Sequence, residues 1–147
     1  MSFQFLYLKL EQAVLITTTS RKTRRYFELA RNLALKSSYG KIKHGAILVK
    51  GGNVFSGSPN KENYNAFGSR FRHPDRGPAT LHAELGCILG MSRNVTQGAT
   101  VYVARVSTTG EFRMSKPCEM CHAALKHVGI RRVIYTKNSE EIESYKL

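Results

Sequence analysis

Two short stretches, Leu81-His82-Ala83-Glu84 and Lys116-Pro117-Cys118-Glu119-Met120-Cys121, decide how this chain is organised. They supply one imidazole, two thiols and one carboxylate that need not bind a metal. Cys118 and Cys121 stand three residues apart, so on a helix they share a face and can bind one ion. Three protein ligands with water in the fourth position are typical of a catalytic zinc site, whereas structural sites usually have four protein ligands.

The residues His82 and Glu84 are expected to have different roles. If both lie in the first turn of a helix, the imidazole can reach the metal and the Glu84 carboxylate can reach the water beside it. Such a carboxylate can accept a proton from the water and return it to a leaving group. No fourth Cys or His has a convincing spacing, because His122 would point away from the shared face and His127 lies near the far end of that helix.

Each part of this pattern also has a plainer interpretation. A lone histidine is more often an ordinary structural residue, and a lone C-x-x-C pair also occurs in redox pairs and structural zinc sites. The joint occurrence of H-x-E and P-C-x-x-C, in this order and at this separation, favours a catalytic zinc centre over those alternatives and over coincidence.

The pattern resembles the signature of the zinc-dependent nucleobase deaminases, H-x-E followed by P-C-x-x-C. The resemblance rests on His82-Ala83-Glu84 and Pro117-Cys118-Glu119-Met120-Cys121 and extends from about Tyr26 to Tyr135. Within the cytidine and deoxycytidylate deaminase superfamily, it is most similar to the deoxycytidylate (dCMP) and tRNA-adenosine branches.

The resemblance implies a Zn²⁺ cofactor and a set of site residues. The implied metal ligands are His82, Cys118 and Cys121. Glu84 is implied as the catalytic proton carrier, and the backbone around Ala83 is implied to hold the base edge. In dCMP deaminases an Asn after the second hairpin strand commonly contacts the sugar, and Asn60 is the nearest match, offset by one residue from the usual G-x-N.

The phosphate contacts are expected in the basic loop that precedes His82, or beside Cys118. Loop cations are more often solvated than bound, but at least one is expected to contact phosphate. Arg70 and Arg72 are favoured, and Lys116 is a further candidate.

The resemblance leaves two substrate classes in competition. The first is a free cytosine nucleotide, with dCMP converted to dUMP and ammonia and dCTP as a candidate second substrate. The second is a nucleic acid, edited at adenosine in tRNA or at cytosine in single-stranded DNA or RNA. The motif favours the first class and the basic charge favours the second. A non-catalytic zinc-bearing subunit is disfavoured, because it would not need Glu84.

The composition fits one domain that meets anions. The chain has 147 residues, with 23 basic and 10 acidic side chains and a formal net charge of +13. This excess predicts attraction to phosphates or nucleic acid without choosing between them. The motif uses two of three cysteines and leaves Cys87, so no disulfide framework is expected and a cytoplasmic location fits best.

Residues 1–22 are interpreted as an N-terminal extension, and residues 23–147 as the deaminase domain. The extension is largely apolar, but Lys9 and Glu11 interrupt it and no basic stretch precedes it. It therefore fits neither a secretory signal nor a membrane span, and no membrane partner is expected. An extra strand, a packed helix and an oligomer contact remain open for it. A homo-oligomer, dimer or hexamer, is implied by the resemblance.

The order of predicted elements gives a three-layer α/β/α sandwich with a mixed sheet, the cytidine deaminase-like fold. Residues 57–79 are expected to form a loop that walls the pocket. Residues after 135 are too few for the helix and fifth strand usual in the family, and whether residues 138–147 substitute for them is left open. The expected elements are a helix from a Thr23 cap to about Ser37, a hairpin over 42–56, a helix from Thr80 to about Met91, a strand over 98–107, a helix from Pro117 to Gly129 and a strand over 132–135.

Overall fold

The computed structural model describes residues 20–147, so most of the interpreted extension, 1–19, lies outside the described residues. In chain order the elements are α1 (Arg21–Ala34), β1 (Lys43–Lys50), β2 (Asn53–Pro59), β3 (Lys61–Tyr64), α2 (Ala66–Ser69), a 3-10 turn (Pro74–Arg76), β4 (Thr80–Leu81), α3 (Ala83–Ile88), α4 (Arg93–Thr96), β5 (Thr100–Val106), β6 (Phe112–Arg113), α5 (Glu119–His127), β7 (Arg132–Thr136) and β8 (Ile142–Lys146).

A mixed sheet forms the middle layer of the domain. Its strand order is β2-β1-β5-β7-β8, and β6 pairs with β5. The β5–β7 pair is parallel, with α5 in the connection between them, and the other pairs are antiparallel. The predicted three-layer α/β/α fold is confirmed.

The two central strands bury both of their faces. In β1, Ala46 and Leu48 belong to the apolar cluster that includes residues of α3 and α5, while Ile47 and Val49 belong to the cluster around α1. Side chains alternate between the faces of a strand, so a strand covered on both sides reads as a continuous apolar run. This explains why the run 46–49 was identifiable as a buried strand.

The hairpin between β1 and β2 turns at two glycines with left-handed backbone. Gly51 has φ 58° and Gly52 has φ 81°. Positive φ at both central positions matches the twist of an antiparallel pair, and glycine adopts it without steric cost. The predicted hairpin is confirmed.

The predicted helix boundaries need correction. Ser20, not Thr23, caps α1: its hydroxyl oxygen accepts a hydrogen bond from the Thr23 backbone N–H, and the helix ends at Ala34 rather than Ser37. The helix expected from Thr80 begins only at Ala83, because Thr80 and Leu81 pair with β3.

The segment over 57–79 contains regular structure that the apolar pattern did not reveal. β2 continues to Pro59, and β3 pairs with β4 in a separate two-stranded sheet. Asn65 then caps the short helix α2 through the Gly68 backbone N–H. These elements are short or exposed, so they carry little apolar periodicity.

A fifth strand of the main path is present despite the short C-terminal segment. β8 pairs antiparallel with β7 from Arg132↔Lys146 to Thr136↔Ile142. An antiparallel strand needs only a short turn, whereas a parallel strand needs a crossover of a dozen or more residues. The open question of a fifth strand is therefore answered by residues 142–146, which need no second crossover.

Close contact between layers fixes α3 on the sheet. A Cβ added at Gly86 of α3 would overlap the Ser58 side chain of β2, so glycine permits this approach. Across residues 20–147, every helix falls short of the length and apolarity that crossing a bilayer requires.

Candidate active site

Two of the three expected metal ligands occupy equivalent positions at helix starts. His82 is the N-cap residue of α3 and Cys118 is the N-cap residue of α5, and neither side chain caps its own helix. Cys121 is the third residue of α5, and N-cap and N3 side chains lie on the same side of a helix start.

The ligand atoms of His82, Cys118 and Cys121 converge. The His82 Nδ1 atom lies 3.7 Å from the Cys118 Sγ atom and 3.3 Å from the Cys121 Sγ atom. Within residues 20–147 these three form a cluster whose ligand atoms lie within 4.8 Å of one another. Two thiols and one imidazole are the donor set of a catalytic zinc site, so the residues present fit the ion.

The two other histidines near α5 make ring contacts elsewhere. The His122 ring stacks on Tyr145 with ring centroids 5.6 Å apart. The His127 ring lies 5.3 Å from that of Phe71. The histidines set aside as ligands by their spacing thus lie outside the cluster.

The cluster favours a thiolate at Cys118. A hydrogen bond from Cys121, and a further one from His82, lower the pKa of Cys118 to about 3. The pKa of Cys121 is raised, first because its thiol donates to Cys118 and second because it is buried. The hydrogen bond with Cys118 raises the pKa of His82. Thiolate is the form that binds metal, so the site is electrostatically prepared for a cation.

Glu84 lies beneath this cluster, as the second residue of α3. Its side chain is only 4% exposed. Burial raises the pKa of its carboxyl, and the positive potential of His82 partly opposes that shift. A carboxyl whose pKa moves towards neutrality suits proton transfer in both directions.

A cavity of about 380 Å³ opens above Glu84. It is lined by Tyr39, Ile42, His44, Asn60, Thr80, His82, Glu84, Arg105, Met114, Lys116 and Cys118. Two of the expected substrate contacts, Asn60 and Lys116, therefore line the same cavity as Glu84. Two of the three expected metal ligands, His82 and Cys118, line it as well. Ala83 is fully buried and does not line the cavity.

One wall of the cavity is formed by residues of the paired strands β1 and β5 and by Asn60, which directly follows β2. His44 of β1 stands directly opposite Arg105 of β5. The Asn60 Oδ1 atom accepts a hydrogen bond from the His44 backbone N–H at 2.9 Å, and its Nδ2 atom donates to the Ile42 carbonyl at 2.9 Å. Asn60, expected to contact a sugar, therefore also fixes the end of β2 to β1.

The wall is positively charged but keeps one histidine neutral. Burial, and then the Arg105 charge, lower the pKa of His44 to about 4. Neither Arg105 nor Lys116 forms an ion pair with a carboxylate in the described part of the chain. The sequence interpretation missed His44, Arg105 and Tyr39. His44 and Arg105 are brought together by the register of β1 with β5, and the sequence motifs give no information about that register.

The two favoured loop arginines lie away from the Glu84 cavity. Arg72 lines a second cavity of about 310 Å³, which also contacts His82 and Cys118 and includes Phe71 and Arg76. The Arg70 guanidinium lies 5.9 Å from the centroid of the Phe67 ring and lines neither cavity. Both arginines are close to His82 in sequence, but neither lines the cavity that contains Glu84.

Comparison with known proteins identifies the family. Residues 20–137 match the cytidine and deoxycytidylate deaminase zinc-binding region. The fold is similar to that of dCMP deaminase from the cyanophage S-TIM5 in apo form, at 19% identity and TM-score 0.56, over 82% of this chain and 86% of that one. It is also similar to Acinetobacter baumannii RibD, at 19% identity and TM-score 0.50, over 80% of this chain but 28% of that one.

The family match and the geometry agree with each other. No curated protein sequence matches the chain, and at 19% identity the two solved structures show the fold alone. The matched region contains the converging His82, Cys118 and Cys121, so zinc is the cofactor. The chain belongs to the family of zinc-binding cytidine and deoxycytidylate deaminases.

Proposed function

We propose that this protein is a zinc-dependent hydrolase that deaminates a free cytosine nucleotide, converting dCMP to dUMP and ammonia. The observation that carries the proposal is the place of Glu84, whose buried carboxyl lines the same cavity as His82 and Cys118. The cations Arg105 and Lys116 line that cavity too and suit a substrate phosphate.

The chemistry needs a nucleophilic water and a proton carrier. A zinc ion held by His82, Cys118 and Cys121 would supply Lewis acidity, which makes water a nucleophile near neutral pH. Glu84 accepts the proton of the water as its oxygen bonds to C4 of the cytosine ring. It passes that proton to the ring nitrogen, then accepts the second proton from the new C4 hydroxyl and delivers it to the amine, which departs as ammonia. The C4–N bond breaks, so dCMP and water give dUMP and ammonia.

The cavity wall is proposed to bind the rest of the nucleotide. Asn60 lines the cavity and can accept a further hydrogen bond at Oδ1 from the sugar. The backbone around Ala83, between His82 and Glu84, is proposed to hold the base edge. Arg105 and Lys116 replace Arg70 and Arg72 as the proposed phosphate contacts, because they line the Glu84 cavity.

The editing alternative rests on the second cavity. Arg72 and Arg76 lie on the other side of His82 and Cys118, beside Phe71. Cations on both sides of a deamination site, with an aromatic ring, also suit a single strand that passes over it. The spacing of the P-C-x-x-C motif supports the free nucleotide instead.

A substrate panel tests the proposal. Ammonia release would be measured with dCMP, dCTP, deoxycytidine, single-stranded DNA containing cytosine, and tRNA. We expect turnover of dCMP, loss of that turnover in Glu84→Gln with zinc content unchanged, and no effect of Glu62→Gln, which alters an exposed glutamate of β3. Activity on polynucleotides alone would establish the editing alternative, and full activity of Glu84→Gln would remove Glu84 from its role.

The assembly is part of the same proposal. We expect a homo-oligomer, a dimer or a hexamer, when the full chain is measured by light scattering. A monomer at working concentration would contradict this expectation.

A further inference from the structure

The C-terminal strand β8 brings an aromatic ring to the proposed phosphate contact Lys116. Tyr145 of β8 stands opposite Val133 of β7 in the antiparallel pair. The Lys116 Nζ atom lies 5.8 Å from the centroid of the Tyr145 ring. An ammonium within about 6 Å of a ring centroid is attracted by the negative face of the ring.

The Tyr145 ring is itself held by aromatic neighbours. It stacks on His122 of α5 at an interplanar angle of 28°, and the His122 Nδ1 atom lies 3.5 Å from the Tyr145 hydroxyl. The Tyr135 ring of β7 lies 6.0 Å away on the neighbouring strand. Tyr145 is thus a fixed platform rather than a freely rotating surface ring.

The backbone just before Lys116 is fixed as well. The Ser115 hydroxyl is buried, donates to the Val103 carbonyl at 2.9 Å and accepts from the Thr136 backbone N–H at 2.8 Å. The Lys116 side chain is exposed, so without a partner it would sample many rotamers. Immobilising such a side chain costs about 0.5–1.5 kcal/mol on binding, and a preformed position removes part of that cost.

Within residues 20–147 the Lys116 ammonium forms no ion pair, although its charge is among the causes that lower the pKa of Glu143. Glu143 of β8 accepts a hydrogen bond from the Tyr135 hydroxyl at 2.6 Å, and its other oxygen lies 3.4 Å from the Lys137 Nζ atom. Lys116 and Arg105 both line the Glu84 cavity, whereas Glu143 does not.

We propose that Tyr145 is a positioning residue that holds the Lys116 ammonium on the wall of the Glu84 cavity, where Lys116 and Arg105 together bind the phosphate of a nucleoside monophosphate. This inference rests on the proposed function in taking a nucleotide as the ligand. It attributes a preference for nucleotide over nucleoside to Lys116, Arg105 and the Tyr145 ring. Strand β8, which carries Tyr145, would then contribute to substrate specificity.

Calorimetric binding of dUMP and deoxyuridine to the zinc-loaded protein tests the inference. We expect wild type to bind dUMP more tightly than deoxyuridine, Lys116→Gln to weaken dUMP about 10-fold, and Tyr145→Met to weaken it about 3-fold. Tyr145→Phe should bind as wild type does, because the ring face is kept. Deoxyuridine binding should not change in any of these, and kcat for dCMP should stay the same while KM rises. Tyr64→Met, at an exposed tyrosine of β3, is the matched control.

A double variant separates positioning from mere packing. Tyr145→Met combined with Lys116→Gln should bind dUMP no more weakly than Lys116→Gln alone. The inference would be overturned if the losses of dUMP binding in the two single variants added up in the double variant. It would also be overturned if a variant weakened dUMP and deoxyuridine binding equally, or if Tyr145→Phe weakened dUMP binding as much as Tyr145→Met does. If Tyr145→Met does not fold, Lys116→Arg decides, since a guanidinium also stacks on the ring and should keep the dUMP preference that Lys116→Gln loses.

The same data distinguish this inference from the proposed function. Equal binding of dUMP and deoxyuridine by wild type overturns the inference, whatever the enzyme deaminates. Tyr145-dependent binding of dUMP without ammonia release from dCMP supports the inference and contradicts the proposed substrate.

Discussion

The floor and the wall of the Glu84 cavity are built in different ways. The floor consists of His82 and Glu84 at the start of α3 and Cys118 at the start of α5, together with the buried metal ligand Cys121, so each pair is close in sequence. The wall consists of His44, Asn60, Arg105 and Lys116, which come from separate parts of the chain and meet through strand pairing and the segment before α5.

The difference teaches which part of the function each region controls. The floor holds the groups for metal binding and proton transfer, so its changes should affect the reaction itself. The wall holds a row of charged and polar groups above the floor, so its changes should affect which molecule binds and how stably the strands are joined. The predictions below test that division.

The largest effect is expected on the floor. Cys121→Ser, at a buried thiol of the cluster, should lose zinc and lower kcat/KM by about 10³-fold or more, because Lewis-acid assistance contributes several kcal/mol. Zinc content by mass spectrometry and ammonia release check this. Cys87→Ser, at the buried cysteine outside the cluster, should keep its zinc. Equal zinc loss in both variants would contradict the assignment.

A smaller and selective effect is expected on the wall. Arg105→Met should raise KM for dCMP about 10–100-fold, because a hydrogen bond to a charged group contributes about 1.5–3 kcal/mol. KM for deoxycytidine should not change. Arg113→Met, at an arginine paired with Glu111 on β6, serves as the control. A parallel rise for nucleotide and nucleoside would remove Arg105 from phosphate binding.

A substitution at Asn60 tests whether the wall contributes to the stability of the fold as well as to substrate binding. Asn60→Ala leaves the His44 N–H and the Ile42 carbonyl without their side-chain partner, so the free energy of unfolding should fall by about 2–3 kcal/mol. Urea unfolding of the zinc-loaded protein measures this. Unchanged stability with a raised KM would mean that Asn60 acts on the substrate and not on the strand pairing.

The smallest effect concerns the pH dependence of stability. The pKa of His44 is about 4 in the folded protein, against an ordinary value of 6.5, so the unfolded chain binds more protons between these values. Stability should therefore fall as the pH drops from 6.5 through 4, by about 2 kcal/mol after allowing for partial exposure. His44→Gln should flatten this dependence relative to His73→Gln, at an exposed histidine. Identical pH curves would contradict the account.

Sequence reasoning succeeded where the determining interactions are local. The spacing of Cys118 and Cys121, the separation of His82 and Glu84, and the apolar run 46–49 each report on one helix start or one strand. It failed at Arg105 because the residue's role depends on its register with His44. It left β8 undecided because the helix and strand usual in the family exceed the remaining length, whereas the antiparallel β8 needs only a short turn.

Closeness in sequence to a motif residue also did not predict which side chains line the cavity. Arg70 and Arg72 precede His82 closely in sequence, yet neither lines the Glu84 cavity, and Arg72 lines the second cavity instead. Lys116, directly before the Pro-Cys step, lines the Glu84 cavity, and its contact with phosphate stays a prediction.

Zinc K-edge X-ray absorption of the zinc-loaded protein tests the floor most directly. The account predicts two sulfur ligands at about 2.3 Å and two lighter ligands at about 2.0 Å, one of them exchangeable. Cys118→Ser should lose one sulfur, and Glu84→Gln should leave the spectrum unchanged. Four protein ligands with no exchangeable position, or more than two sulfur atoms per zinc, would contradict it.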